Sequence, residues 1–493
     1  MPGSSLPAEV RRAVSACLLP GFPGITPPAF LRAAIADGLG GVCLFAGNIA
    51  SPAALSELTA ELRAQNPALL VAIDEEGGDV TRLDAGAGSD SPGNWALGAV
   101  DDLTATQRIA ATIGGRLGAV GVNLNLAPDA DVNNNPLNPV IGIRSFGADP
   151  ELVSRHVAAY VAGLQSRRVA ACAKHFPGHG DTSADSHHEL PVVAVSRERL
   201  DEVELPPFRA AIAAGVRVIM TAHLVVPALD PDRPATVSPA VLRLLREELG
   251  FTGVVVTDAL EMKAVSATLG MGEAAVQAIA AGVDLLCLGA QGLESQLAEV
   301  RDALLAAVES GRLPAERVLE AAGRIRELAE WARSPLAGDA DPSFGLDVAR
   351  RAVRVSGDPL LRGPVAVVEI RAPGSIAVSD TAWGITTVLA AADPRTTALR
   401  VTEELTDASG LLAPYSDRQV VAVYRDAHLS DWRRASLAAV RAARPDAILV
   451  SMGGADDLPG AGDEPAAVLR TLGSARVNAI AAAERLLGRE LGV

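Results

Sequence analysis

From about residue 8 to 331, short and continuously apolar runs alternate with amphipathic segments of helical period. The runs are CLLPG (17–21), GVCLF (41–45), LLVAID (69–74), VNLNLAP (122–128), VAACAKHF (169–176), VRVIMTAH (216–223), GVVVTDAL (253–260) and VDLLCLG (283–289). Helical patterns lie between them, at 52–64, 103–119, 150–167, 199–214, 238–249 and 272–281. A strand that is apolar at nearly every position has both faces buried, as in a parallel sheet covered by helices. Eight such strands predict an α/β fold, a TIM-like (β/α)8 barrel; a doubly wound open sheet is the alternative.

The ends of the runs are polar. Strand three ends in Asp74, strand five in Lys174 and His175, strand six in His223 and strand seven in Asp258. In a parallel barrel these ends share one rim, and active sites are built there.

The segment SPLAGDADPSFG (334–345) is rich in Pro, Gly and Asp and reads as a linker. Beyond it come the strand-like runs VAVVEI (365–370), VVAVY (420–424) and AILVSMG (447–453), with helices at 432–443 and 475–487. The predicted organisation is a barrel over 1–335, a linker over 336–350 and a smaller α/β sandwich domain over 351–493. That last part holds one histidine, His428, and no dense cluster of catalytic residue types. Its chemistry should therefore not be required by the barrel.

With 43 basic and 59 acidic residues the net charge is −16, and no basic run occurs. Such a chain repels phosphate backbones and anionic membranes, so neither nucleic acid nor a membrane is an expected partner. No charge-free apolar stretch reaches the length of a membrane span. Cys17, Cys43, Cys172 and Cys287 form no CxxC pair and read as buried thiols in a reducing compartment. The N-terminus lacks a secretory apolar core, so the cytoplasm is the expected location. Only Lys174 and Lys263 are lysines; every other basic residue is arginine. Lys263 reads as drift, whereas Lys174 stands at a strand end where a compact ammonium has a use.

The densest polar segment is KHFPGHGDTSADSHH (174–188), which holds four of the seven histidines. Its glycines and proline allow tight turns, and it reads as a functional loop leaving strand five. Asp185 and His187 are two apart. In an extended stretch they share a face, so the carboxylate can orient and charge the imidazole for acid–base work. A local turn, with Asp185 bonding its own backbone, fits the spacing equally well. Asp258 could be a nucleophile, a metal ligand, a sugar-hydroxyl acceptor or a helix cap. Asp74 precedes a flexible EEGG loop and Arg82; Arg144 sits in a loop lined with Asn and Pro.

Together, IDEEGGDVTRL (73–83), NPVIGIRSFG (138–147), KHFPGHGDTSADSH (174–187), MTAH (220–223) and VVVTDALEM (254–262) resemble glycoside hydrolase family 3, on its β-N-acetylglucosaminidase branch. The resemblance covers the barrel, and more loosely the tail TLGSARVNAIAAAERLLG (471–488). It implies Asp258 as nucleophile and His187, assisted by Asp185, as the acid/base. It implies Asp74, Arg82, Arg144, Lys174 and His175 as holders of the hydroxyls and N-acetyl group of a terminal GlcNAc. It implies no metal and no cofactor, and a carbohydrate as the partner; it says nothing of oligomeric state. One departure is Asp79, where an arginine is common in EGGR-type relatives.

The expected reaction is therefore retaining removal of terminal β-linked GlcNAc from muropeptides, in cell-wall recycling, or from chito-oligosaccharides. A phosphorylase or β-glucosidase on the same scaffold is the alternative within enzymes. A catalytically dead sugar-binding protein is the alternative outside them. A metal-dependent hydrolase using Lys174, His175, His223 and Asp258 is a weaker rival, because no His-x-His follows strand one.

Overall fold

The computed structural model describes residues 6–183, 190–289, 294–338, 341–371, 378, 382–454 and 467–491. The chain divides into two compact units. One comprises Met1–Glu75, Thr106–Asn138 and Ala148–Ala340; the other comprises Glu76–Ala105, Pro139–Gly147 and Asp341–Val493.

The first unit is an eight-stranded parallel barrel. Its strands are β1 (Leu18–Leu19), β2 (Gly41–Leu44), β3 (Leu70–Ile73), β4 (Leu124–Asn125), β5 (Ala170–Phe176), β6 (Val218–Thr221), β7 (Val254–Thr257) and β8 (Leu286–Cys287). β2 to β7 pair in chain order, and β1 pairs with β8. The ring closes through the parallel bridge Val256–Leu285 and through the Cys43 N–H, which donates to the Pro20 carbonyl at 2.9 Å. Each of the eight apolar runs thus yields a strand, and every residue in these strands is buried. The four cysteines are buried as well.

The helices between the strands begin where the sequence offers a cap. Ser51 accepts the Ala54 N–H at 3.1 Å to start Pro52–Gln65. Asp149 accepts the Leu152 N–H at 2.8 Å to start Pro150–Gln165. Capping of this kind satisfies a backbone donor that the helix cannot. At the end of the barrel opposite the polar strand ends, Asp284 is fully buried. It accepts from Arg246 Nη2 at 2.5 Å and Arg324 Nη1 at 3.1 Å, and from Arg317. Three guanidinium groups offset the cost of burying that carboxylate, and leaving it alone would cost several kcal/mol, roughly 3–5.

In the second unit six strands form one sheet in the order β11-β10-β12-β13-β14-β9. They are β9 (Arg354–Gly357), β10 (Val365–Ile370), β11 (Thr397–Val401), β12 (Gln419–Tyr424), β13 (Ile448–Ser451) and β14 (Ala467–Arg470). All pairings are parallel except β14 with β9. Alternate residues serve opposite faces. Val365, Val367, Val421, Val423 and Val450 pack with Ala482 and Leu486. Val368, Ile370, Val420, Ala422 and Leu449 pack with Leu437 and Val440 on the other side. The result is a sheet sandwiched between helices. Most of the stretch read as a linker, 336–350, lies in the helix Pro342–Ala352, capped by the Asp341 side chain. Two segments inside the 1–335 range, Glu76–Ala105 and Pro139–Gly147, belong to this second unit.

Candidate active site

The site begins with β3 and β4. Asn125 on β4 clamps the backbone just beyond Asp74: its Oδ1 accepts the Glu75 N–H at 2.9 Å, and its Nδ2 donates to the Glu75 carbonyl at 2.8 Å. Asp74, partly exposed, leaves the strand end with its backbone fixed. β5 supplies its partner. Pairing of β5 with β6 shifts register between Ala173 and Phe176, and such a shift re-aims the side chains it spans. The peptides Lys174–His175 and Phe176–Pro177 are cis. Lys174, buried to 2% exposure, donates from Nζ to Asp74 Oδ1 at 2.8 Å. His175 turns toward Asp131, its Nδ1 lying 2.7 Å from Oδ2.

Asp131 is the hub of this rim, and the sequence reading missed it. Its Oδ1 accepts the backbone N–H of His175 at 3.1 Å and of His179 at 2.7 Å. Burial pushes its carboxyl up, but His175 and His179 outweigh that and hold it below the usual carboxylate range. Asp129 and Asp131 stand just past the fourth apolar run, so the strand-end rule applied at strands three, five, six and seven would have found them. Asp129, Asp131 and His175 each offer a ligand atom within 4.8 Å of the others. The oxygens of Asp131 are nevertheless engaged as hydrogen-bond acceptors.

The loop after β5 is built to be tight. A Cβ on Gly180 would lie 1.7 Å from the Val132 carbonyl oxygen, and one on Gly178 would lie 2.5 Å from Glu204 Oε2. Asn138 Nδ2 donates to the His179 carbonyl at 2.8 Å and to the Gly180 carbonyl at 3.0 Å. His179 Nδ1 meets Thr182 Oγ1 at 2.9 Å. Burial drives the His179 pKa down to about 4, so its ring is neutral near pH 7. Beneath the loop, Glu204 closes a π-helical turn, Leu200–Glu204. Burial, reinforced by Asp131 and Asp181, pushes its pKa up to about 8. Asp185 and His187 lie outside the described residues.

Asp258 follows β7. Its N–H donates to the Thr221 carbonyl at 3.1 Å, and its Oδ1 accepts the Ala259 N–H at 2.7 Å. His223, fully buried, lies 3.0 Å through Nε2 from the Ala259 carbonyl and 2.8 Å through Nδ1 from Thr236 Oγ1. A carbonyl can only accept, so Nε2 carries a proton. Both ring nitrogens of His223 are thus engaged, Nε2 with the turn after Asp258 and Nδ1 with Thr236, which removes the ligand role the metal-hydrolase rival gave it. Lys174 of β5 touches Asp74 at the end of β3, and Asp258 directly follows β7 at the carboxyl-end rim of the same barrel.

Arg82 and Arg144 belong to the second unit. Arg82 is buried. Arg144 makes a bidentate pair with Glu76, Nε to Oε2 at 3.1 Å and Nη2 to Oε1 at 2.8 Å, and Nη1 donates to the Val140 carbonyl at 3.2 Å. Glu76 was not among the expected residues, although it sits in the quoted EEGG motif. The segments that carry these two arginines pack with the C-terminal chain: Trp95 and Ile143 cluster with Leu472, and Arg476 Nε donates to Asp90 at 3.0 Å.

A parallel barrel with charged residues collected at the carboxyl ends of its strands is the architecture of a barrel enzyme. The chain matches the model for the glycosyl hydrolase family 3 N terminal domain over residues 29–328, and it belongs to that family. It is 36% identical over 334 residues to beta-hexosaminidase A of Pseudoalteromonas piscicida, an alignment spanning 61% of this chain but only 55% of that protein. It is 37% identical over 257 residues to a beta-hexosaminidase of Nitrosomonas eutropha, covering 51% of this chain and 73% of the relative. Among solved structures it resembles a glycoside hydrolase family 3 beta-N-acetylglucosaminidase from Paenibacillus sp. str. FPU-7. That match has a TM-score of 0.89 at 37% identity and covers 98% of this chain and 97% of the other. Family membership makes a carbohydrate the substrate. No helix among the described residues is long and apolar enough to cross a membrane.

Proposed function

We propose that this protein is a retaining exo-β-N-acetylglucosaminidase that releases terminal β-linked GlcNAc from muropeptides or chito-oligosaccharides. The observation that carries the reading is the Asp74–Lys174 contact at the ends of β3 and β5, on the same barrel rim as Asp258 at the end of β7. Asp258 is the carboxylate that attacks, while Asp74 is neutralised by an ammonium and can grip hydroxyls.

In the proposed cycle Asp258 attacks the anomeric carbon, the glycosidic C–O bond breaks, and His187 gives its proton to the leaving oxygen. Asp185 holds His187 in orientation and favours its protonated form. Water then attacks the glycosyl-enzyme, His187 recovers a proton from it, and free GlcNAc leaves. Asp74, Lys174 and His175 bind hydroxyls of the terminal sugar, and Arg82 and Arg144 complete its recognition with the N-acetyl group. Charge-assisted bonds of this kind position the ring and discriminate among sugars. The proposed location is the cytoplasm, and the division of labour is a catalytic barrel with an accessory C-terminal sandwich.

Turnover of p-nitrophenyl β-glycosides, with and without phosphate, tests the reading. Release of free GlcNAc from the GlcNAc glycoside in preference to the glucoside is the expected result. Preference for the glucoside, a dominant sugar phosphate, or binding without turnover would each replace the proposal with one of its alternatives.

A further inference from the structure

Asp79, the residue that departs from the EGGR pattern, sits in a loop turned back on itself. The Glu76 N–H donates to the Val80 carbonyl at 3.0 Å, and the Gly78 N–H donates to the Ser91 carbonyl at 3.1 Å. Gly77 and Gly78 adopt φ of 82° and 68°, values that favour glycine. Asp79 is buried at 6% exposure. Its partner comes from the C-terminal chain: Arg425 Nη1 donates to Asp79 Oδ2 at 3.1 Å.

Arg425 is itself held on several sides. Nη1 also donates to Ser474 Oγ at 3.0 Å, Nε faces Asp426 at 3.3 Å, and the guanidinium lies 5.3 Å from the Trp383 ring centre. Its backbone carbonyl accepts from Arg433 at 3.0 Å. Both Glu76 and Arg144 act electrostatically on Asp79, after burial and Arg425. Glu76 thus pairs with Arg144 and Asp79 with Arg425, while Asp426 faces the same Arg425 guanidinium, so three carboxylates share two guanidinium groups. Removing Arg425 leaves buried Asp79 and Glu76 with the one guanidinium of Arg144 between them. Asp79 must then take up a proton or draw Arg144 away from Glu76, because an unpaired buried charge is expensive.

We propose that Asp79 and Arg425 are positioning residues for the Glu76–Arg144 pair, so that the C-terminal sheet governs how well the sugar is held. The inference rests on the proposed role of Arg144 in substrate binding. Arg425 leaves β12 at Tyr424 and needs no contact with sugar to act. An acid at 79 instead of an arginine is the local mark of this arrangement, since the opposite charge is supplied from 346 residues further along the chain.

The test is steady-state kinetics of the full-length chain on p-nitrophenyl β-GlcNAc, with inhibition by free GlcNAc as an independent measure of affinity. Arg425→Met should raise KM and weaken GlcNAc inhibition by about tenfold, while kcat stays within about threefold. Asp79→Asn combined with Arg425→Met removes both charges together and should recover most of the lost affinity. A purely structural role would not produce that recovery, and the double variant also serves if the single one fails to fold. Arg144→Lys separates the two readings. If it leaves KM unchanged, the assignment of Arg144 fails. If it raises KM while folded Arg425→Met does not, or if the double variant is no better than the single, the positioning role of Asp79 and Arg425 is overturned.

Discussion

Lys174 Nζ and Asp74 Oδ1 lie 2.8 Å apart, although 100 residues separate them in the chain. β3 and β5 flank β4 in the barrel, so the two side chains meet across one strand. The ammonium is almost fully buried and the carboxylate partly exposed. The pair thus shows one face to solvent, and that is where a sugar hydroxyl would bind. Lys174→Met should cost about ten- to a hundredfold in kcat/KM on a GlcNAc glycoside, the worth of one or two charge-assisted hydrogen bonds. Steady-state kinetics of wild type and variant would register the loss.

Asp258 carries a sharper expectation. Asp258→Ala should lower kcat by about three orders of magnitude or more, since the covalent route disappears. Its melting temperature should stay close to wild type, because the carboxylate is only partly buried and the turn behind it is pinned by His223. A fluorinated GlcNAc-type inactivator should attach to this residue, as read by peptide mass spectrometry. Attachment to another carboxylate would move the nucleophile elsewhere.

The contrast between these residues and Asp131 shows what sequence can carry. Asp74, Lys174, His175 and Asp258 are legible because each directly follows an apolar run, and the rim of a parallel barrel collects such ends. Asp131 lies past the short β4, and its importance comes from two backbone amides and a histidine that only the fold brings to it. Strands β10, β12 and β13 were legible as central, doubly buried strands. β9 was not: it is an edge strand exposed at every position, with no apolar run to mark it. β11 also lies at an edge, with alternating exposure. The strand-end rule places Asp131 at the rim without showing these contacts, whereas the partnership of Asp79 with Arg425 was beyond reach altogether. Spacing in the chain says nothing about a contact made across 346 residues.

Glu204 and His179 set opposite pH dependences on stability. The folded state holds the Glu204 proton up to about pH 8, against an ordinary 4.5. Its contribution is therefore complete below about 4.5 and is lost as pH rises through 8. His179 is held neutral down to about pH 4, against an ordinary 6.5. Its contribution is complete above about 6.5 and is lost as pH falls through 4. Glu204→Gln keeps the shape and removes the charge, so its melting temperature should fall less than that of wild type between pH 6 and 9, by on the order of 3 °C. Parallel curves for the two proteins would show that Glu204 does not titrate in this window.

A carboxylic acid that donates its proton in the first step becomes an anion, and it repels an anionic acceptor in the second. A histidine becomes neutral instead, so an anion can approach the glycosyl-enzyme at less electrostatic cost. Replacing His187 with alanine removes the donor altogether. Substrates with poor leaving groups need that proton most, so they should slow far more than an activated p-nitrophenyl glycoside. For the activated substrate, breakdown of the glycosyl-enzyme then limits the rate, and azide should accelerate it by acting as a nucleophile that needs no base. The accompanying product is a glycosyl azide of retained configuration, identifiable by mass spectrometry and NMR. In the wild type, phosphate at millimolar concentration should leave free GlcNAc as the main product, because Lys174 and Arg144 already pair with Asp74 and Glu76. Equal losses in His187→Ala for good and poor leaving groups would remove the acid role from this residue and hand it to another group on the rim.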